Sequence, residues 1–147
     1  MAATPTDLLG TWRLTRVVDD RRSGERRDVL GSATLSASGP ERVRWQESGT
    51  MTWPGHAVEI QRTLYVDRVD RDGDSWLVRF EDGRPFHPWA VGAEVEHACA
   101  PDTYRGLVEV EGEVAGEPVE SWSVVWEAIG PEKDYRMRTA YDRRVTG

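Results

Sequence analysis

The stretch Val43-Arg-Trp-Gln-Glu-Ser-Gly-Thr-Met-Thr-Trp-Pro-Gly-His-Ala-Val-Glu-Ile-Gln-Arg-Thr-Leu-Tyr-Val66 decides the fold. Its two halves alternate apolar and polar residues around Pro54-Gly55. Pro presets φ for a tight turn and Gly supplies the positive φ such a turn needs. A two-residue turn there sets Met51 across from Val58, Gly49 from Ile60, Trp45 from Leu64 and Val43 from Val66. Residues two apart on a strand share a face, so these pairs form one apolar side. The other side carries Arg44, Gln46, Ser48, Thr50 and Thr52, with Glu59, Gln61 and Thr63 opposite, and reads as solvent-facing. The same register places Glu47 directly across from Arg62, on the apolar side. A carboxylate facing a guanidinium inside an apolar stripe is the most specific chemical signal of the sequence.

The period of two recurs along the chain, in Leu9 to Val18, Val29 to Ser38, Ser75 to Phe80, Pro85 to Trp89, Glu94 to Ala100, Tyr104 to Glu111, Val119 to Ala128 and Asp134 to Arg143. Turn signals separate the segments: Ser23-Gly24, Gly39-Pro40, Asp72-Gly73, Asp82-Gly83, Gly92, and a longer turn around Gly112 to Gly116. No long window has the 3.6-residue period of an amphipathic helix. Successive strands without helices close or pack on themselves, which also removes exposed sheet edges. The expectation is an all-β chain forming a single antiparallel barrel of roughly eight to ten strands with a central cavity.

The 147 residues suit one domain, spanning 1–147, with residues 1–7 as a flexible N-terminus. Asp plus Glu is 26 and Lys plus Arg is 19, a net charge of -7. That balance argues against nucleic acid or an anionic membrane as a partner. The single cysteine, Cys99, excludes an internal disulfide and a cysteine zinc cluster. No apolar run is long enough for a membrane helix, and Met1 to Thr6 lacks the basic start and apolar stretch of a secretory leader. A cytoplasmic monomer or homodimer is expected.

Interior candidates follow from strand parity. Arg16 shares its side with Trp12, Leu14 and Val18; it is either a second interior charge or a strand-end residue reaching solvent. Glu47 and Arg62 are either a structural pair or the polar anchor of a cavity, with Arg62 binding a carboxylate, enolate or phenolate. If they are isolated, removing Arg62 alone strands a charge, and removing both charges is the milder change. Trp12, Trp45, Trp53, Trp76, Trp122 and Trp126 fall on apolar sides, as core or as the walls of an aromatic pocket.

Val95, His97 and Cys99 share one side of their strand, and apolar neighbours put it inward. His97, Asp102 and Tyr104 lie close enough to form a proton-transfer group, with His97 as base and Tyr104 as acid. They equally suit a structural brace in which Asp102 caps its own turn. His97 and Cys99 stand about 7 Å apart by strand rise, too far for a nucleophile-base pair. His87 lies between two prolines in Arg84-Pro85-Phe86-His87-Pro88-Trp89, a stiff edge or lid. His87 and His97 without a third evident ligand do not define a metal centre, and whether either takes a metal or haem stays open. No cofactor is implied. Lys133 sits in a loop at the rim.

Gly10-Thr11-Trp12 at the start of the first strand resembles the opening of the calycins, the lipocalin and fatty-acid-binding barrels. There a cation from the last strand packs over the tryptophan, and the matching residues here are Arg138 and Arg143. A second resemblance runs from about Leu8 to Arg144. Glu81-Asp82-Gly83-Arg84-Pro85-Phe86-His87, His97-Ala98-Cys99 with Asp102, Tyr104 and Gly106, and Trp122 and Trp126 with Gly130-Pro131-Glu132-Lys133-Asp134-Tyr135 are similar to a bacterial family of unknown function. That resemblance implies a calycin-like barrel and no established activity.

Two functions fit this reading. One is binding of a small, largely apolar or aromatic ligand with a polar or anionic group, using Glu47, Arg62, Arg16, Trp45, Trp76, His87, Trp122 and Trp126. The alternative is a cofactor-free cyclase or isomerase using the same cavity, with His97, Tyr104 and Asp102 moving protons.

Overall fold

Among the described residues the alternating segments become ten strands: β1 (Gly10–Asp20), β2 (Glu25–Ala37), β3 (Arg42–Trp53), β4 (His56–Arg68), β5 (Trp76–Phe80), β6 (Pro85–Pro88), β7 (Val95–Cys99), β8 (Asp102–Glu111), β9 (Ser121–Ile129) and β10 (Asp134–Asp142). This computed structural model describes residues 3–70, 75–111 and 118–143. The Asp72-Gly73 and Gly112 to Gly116 turns lie outside the described residues. The strands form one antiparallel sheet in the order β6-β5-β4-β3-β2-β1-β10-β9-β8-β7. Its two edges, β6 and β7, are neighbours in the chain. The segment between them ties the seam: Val91 bridges Val108, and the Gly92 N–H donates to the Val108 carbonyl at 2.7 Å. The sheet is thus nearly closed into a barrel.

The register read from Pro54-Gly55 holds along the whole β3–β4 hairpin, with Glu47 opposite Arg62. It continues sideways, so Trp12, Ala33, Glu47 and Arg62 stand in one row across four strands. The next row is Leu14, Gly31, Gly49 and Ile60, and the next Arg16, Val29, Met51 and Val58. Facing glycines in the middle row let β2 and β3 coil against each other. A Cβ at Gly31 would lie 2.1 Å from the Ser48 carbonyl oxygen, so no side chain fits there.

One end of the barrel is filled. Trp12 is fully buried, and its Nε1 donates to the Leu8 carbonyl at 2.8 Å. The cation over it is Arg143, whose Cζ is 4.0 Å from the ring centroid. Arg138, the other candidate, is exposed on the outer side. Arg143 also donates to the carbonyls of Val119 (2.9 Å) and Leu9 (3.1 Å), which fastens the first and last strands together. Trp122 stacks on Tyr141 at 3.9 Å and meets Trp12 and Trp45 edge-on. From Ala3 onward the segment read as a flexible N-terminus packs onto this end. Ala3 and Pro5 are buried, a 3-10 turn spans Pro5–Leu8, and Trp89 Nε1 donates to the Ala3 carbonyl at 2.9 Å. Covering the aromatic floor of the barrel is what draws this short piece in.

Truncating the Trp12 indole removes both the packing of this floor and the seat of Arg143. Urea unfolding of Trp12→Ala is expected to show a loss of about 3–5 kcal/mol. Arg143→Met should lose about 0.5–2 kcal/mol. A loss under ~1 kcal/mol for Trp12→Ala, the range of surface changes, would contradict the closure described.

Candidate functional site

Above the tryptophan floor, one carboxylate gathers four side chains from three other positions of the sheet and its own strand. Glu47, 3% exposed, projects inward from β3. Its Oε1 accepts from Arg16 Nη2 at 2.7 Å and from Arg62 Nε at 3.1 Å. Its Oε2 accepts from Trp45 Nε1 at 2.9 Å and, through a very short contact, from the Tyr141 hydroxyl. Arg16 is buried, and its Nε donates to Thr139 Oγ1 at 2.7 Å. Arg16 is therefore an interior charge and does not reach solvent: it lies mid-strand, where the barrel wall is continuous on both sides. The hub holds two guanidiniums against one carboxylate, so it carries a surplus positive charge.

Burial by itself would push the Glu47 carboxyl up. The charges of Arg62 and Arg16, with the Arg16 and Tyr141 hydrogen bonds, outweigh it and hold the group at about 2. Burial, and then the Glu47 charge, push the Tyr141 phenol well above its usual range, so it remains a donor. Burial disfavours the Arg16 charge, but Glu47 and Tyr141 more than offset it.

The two arginines differ in access. The Arg16 side chain is 7% exposed and the Arg62 side chain 33%. A cavity of about 110 Å³ lies against them, with Leu14, Val29 and Ile60 as its apolar walls. Arg62 also lines an open hollow of about 550 Å³ with Leu64 and Phe80. Its Cζ is 5.8 Å from the Trp45 ring. Arg62 is the more accessible of the two cations of the hub.

The other aromatic candidates divide. Trp45 belongs to the hub. Trp122 is packed in the floor, and Trp76 is buried; neither indole N–H has a hydrogen-bond partner among the described residues. Trp126 belongs to an aromatic wall at the seam. Phe86 stacks on Phe80 (4.5 Å) and on Trp126 (5.0 Å). His87 meets Trp126 edge-on at 5.0 Å, and His97 meets Phe86 at 5.3 Å. Burial first, and then the charges of Arg62 and His97, bring His87 down to about 4, so it is neutral at pH 7.

His97 faces Tyr104 directly across β7 and β8, with ring centroids 6.1 Å apart. Lys133 joins this group: Nζ lies 3.0 Å from the Tyr104 hydroxyl and 3.1 Å from Asp102 Oδ2. The hydrogen bonds that Lys133 donates, to Tyr104 first and to Asp102 second, raise its ammonium above its usual range. Asp102 is thus engaged by the β9–β10 loop. Cys99, expected inward, is exposed, because β7 is an edge strand whose end runs past the wall. Sequence reasoning missed Tyr141 and Thr139; their shared parity in β10 was the available signal. Among the described residues, no group of three or more His, Cys, Asp or Glu is placed to hold a metal ion.

Residues 8–143 match the model described as Family of unknown function (DUF6314). No curated protein matches the chain. Among solved structures, the S-type phycobiliprotein lyase CPES from Guillardia theta superposes with a TM-score of 0.68 at 9% identity, covering 97% of this chain and 92% of that one. That likeness is one of fold. The redesigned β-barrel mFAP0, bound to DFHBI, gives a TM-score of 0.48 at 13% identity, covering 93% of this chain and 99% of that one. The redesigned barrel mFAP1, also bound to DFHBI, gives 0.49 at 12% identity, covering 97% and 100%.

The third charge changes the expected mutational order. With Arg16 present, Arg62→Met leaves Glu47 still paired. Glu47→Gln leaves two guanidiniums facing each other and should cost about 3–5 kcal/mol. The double change Glu47→Gln with Arg62→Met still strands Arg16, so it is expected to be less stable than Arg62→Met alone, the reverse of the order for an isolated pair. Acid titration gives an independent check. A carboxylate held at about 2 and released at 4.5 on unfolding contributes stability above pH 4.5 that is lost as pH falls toward 2. That loss is about 3 kcal/mol and should be absent in Glu47→Gln. His87, depressed from 6.5 to about 4, adds a separate loss that begins higher, as pH falls from 6.5.

Proposed function

We propose that this chain, which belongs to the DUF6314 family, binds a small, largely apolar or aromatic molecule through an anionic group seated on Arg62. The observation that carries this is the charge imbalance of the hub. Two guanidiniums share one carboxylate in a mostly buried setting, and the more accessible guanidinium borders a cavity with apolar walls. A buried charge is stable only when compensated, and a ligand carboxylate, enolate or phenolate supplies the missing negative charge. Glu47 holds Arg62 in place while Arg16 and Tyr141 hold Glu47. The Phe80–Phe86–Trp126 stack offers flat apolar surface for the body of the molecule.

Tryptophan fluorescence titrations test this with 2-naphthoate and its neutral counterpart 2-naphthylmethanol. A charge-assisted hydrogen bond of about 1.5–3 kcal/mol corresponds to roughly 10- to 100-fold tighter binding of the acid. Arg62→Met should erase that difference. Equal binding of acid and alcohol, or an unchanged difference in Arg62→Met, counts against the proposal. Native mass spectrometry of freshly purified protein adds a direct search for a co-purifying acid.

A second reading rests on Lys133, held between Tyr104 and Asp102 with His97 opposite Tyr104. In it the same cavity performs cofactor-free proton transfer: His97 takes a proton from carbon, and Tyr104 gives one to the developing oxyanion. Asp102 acts by positioning Lys133. Deuterium uptake from solvent into an enolisable aryl ketoacid measures this, with uptake lost in Tyr104→Phe as the expected result and unassisted background uptake in the parent protein as the result against it.

A further inference from the structure

The seam strand β6 carries a group that the anion site does not use. His87 stands opposite Val78, on the inward side, and is 4% exposed. Pro85 and Pro88 restrict its backbone from both sides. Its ring is held edge-on against Phe86 at 4.7 Å and against Trp126 at 5.0 Å. Nδ1 lies 2.8 Å from the Pro88 carbonyl oxygen. A carbonyl can only accept, so Nδ1 carries the hydrogen, and the neutral ring presents its lone pair at Nε2. Nε2 has no partner among the described residues. Arg62 lines its open hollow together with Phe80, Phe80 stacks on Phe86 at 4.5 Å, and Phe86 meets the His87 ring, so one aromatic surface runs from the guanidinium to the imidazole.

We propose that His87 is the specificity-determining acceptor of the cavity: the bound molecule carries, beside its anionic group, a hydroxyl or N–H that donates to His87 Nε2. This rests on the anion-binding reading above. The tautomer is fixed by the backbone, and the ring lies in a mostly apolar aromatic surround. A bound molecule that covers this acceptor without supplying a donor strips it of water, so ligands without a donor are rejected more strongly than ligands with one are attracted. Two separated demands follow, an anion at Arg62 and a donor at His87, with flat apolar surface between them. Hydroxylated aromatic acids, or indole- and pyrrole-type acids with a ring N–H, meet both.

The test uses matched probes: 2-naphthoate, the 6- and 7-hydroxy-2-naphthoates, and their methoxy counterparts, titrated by tryptophan fluorescence. At least one hydroxy acid should bind tenfold or more tightly than its methoxy counterpart. In His87→Phe that ratio should collapse to near one, and in His87→Gln, which keeps an acceptor, part of it should return. The 15N signal of His87 Nε2 should move when the preferred hydroxy acid is added to the unmutated protein, a readout that does not depend on any variant folding. Hydroxy and methoxy acids binding equally, an undiminished ratio in His87→Phe, or a static Nε2 signal would each overturn the role of His87. Failure of the underlying reading looks different: 2-naphthoate then does not bind, or binds without regard to Arg62, and the His87 proposal falls with it.

Discussion

Glu47 is the point on which the interior depends. An ionised carboxylate in a protein interior is tolerated only when its lone pairs are filled and its charge is opposed. Here Arg16, Arg62, Trp45 and Tyr141 do both. These partners come from β1, β4, β3 and β10, so one carboxylate ties four strands of the sheet. The sheet cannot slip by a residue without turning Glu47 and Arg62 out and breaking the whole set at once. A buried ionic network of this kind adds little net stability over an apolar core, but it specifies one register and leaves a defined charge inside.

The barrel is divided by that network. On one side the space is filled by Trp12, Trp122 and Tyr141, closed by the Pro5–Leu8 turn and by Arg143 lying on Trp12. This side has the character of a core, with rings packed at contact distance. On the other side the groups are mixed in character: half-buried Arg62, Phe80 and Phe86, with buried His87 and Trp126. The seam between β6 and β7 falls here, bridged by a few contacts instead of a full ladder. His87 and the aromatic wall thus collect where the sheet is least continuous, beside the packed floor.

The ten strands, their antiparallel neighbours and the β3–β4 register were legible in the sequence. Period-two alternation and Pro54-Gly55 are local properties, and local geometry transmits them faithfully along a hairpin. Glu47 facing Arg62 followed from that register alone. The cation over Trp12 was legible only as a choice between Arg138 and Arg143, because an indole and a late arginine meet through barrel closure and not through pairing. Cys99 was misplaced since alternation says which way a side chain points but not whether a wall continues beside it. The packing of Ala3 and Pro5 was hidden for a similar reason: nothing in so short a segment reveals the aromatic floor it covers.

The sequence by itself determined the class of fold, the face on which each strand residue lies, and the presence of an ion pair on an apolar face. Only the tertiary structure decided what that pair is part of. Arg16 and Tyr141 reach Glu47 from 31 and 94 residues away in the chain. Lys133 reaches Tyr104 across 29 residues. No periodicity encodes such meetings, because they depend on how far the sheet curls and which rows align once β1 pairs with β10. Curvature is a collective outcome of twist, facing glycines and side-chain volume across all the strands. It turned a two-residue pair into a positively charged interior.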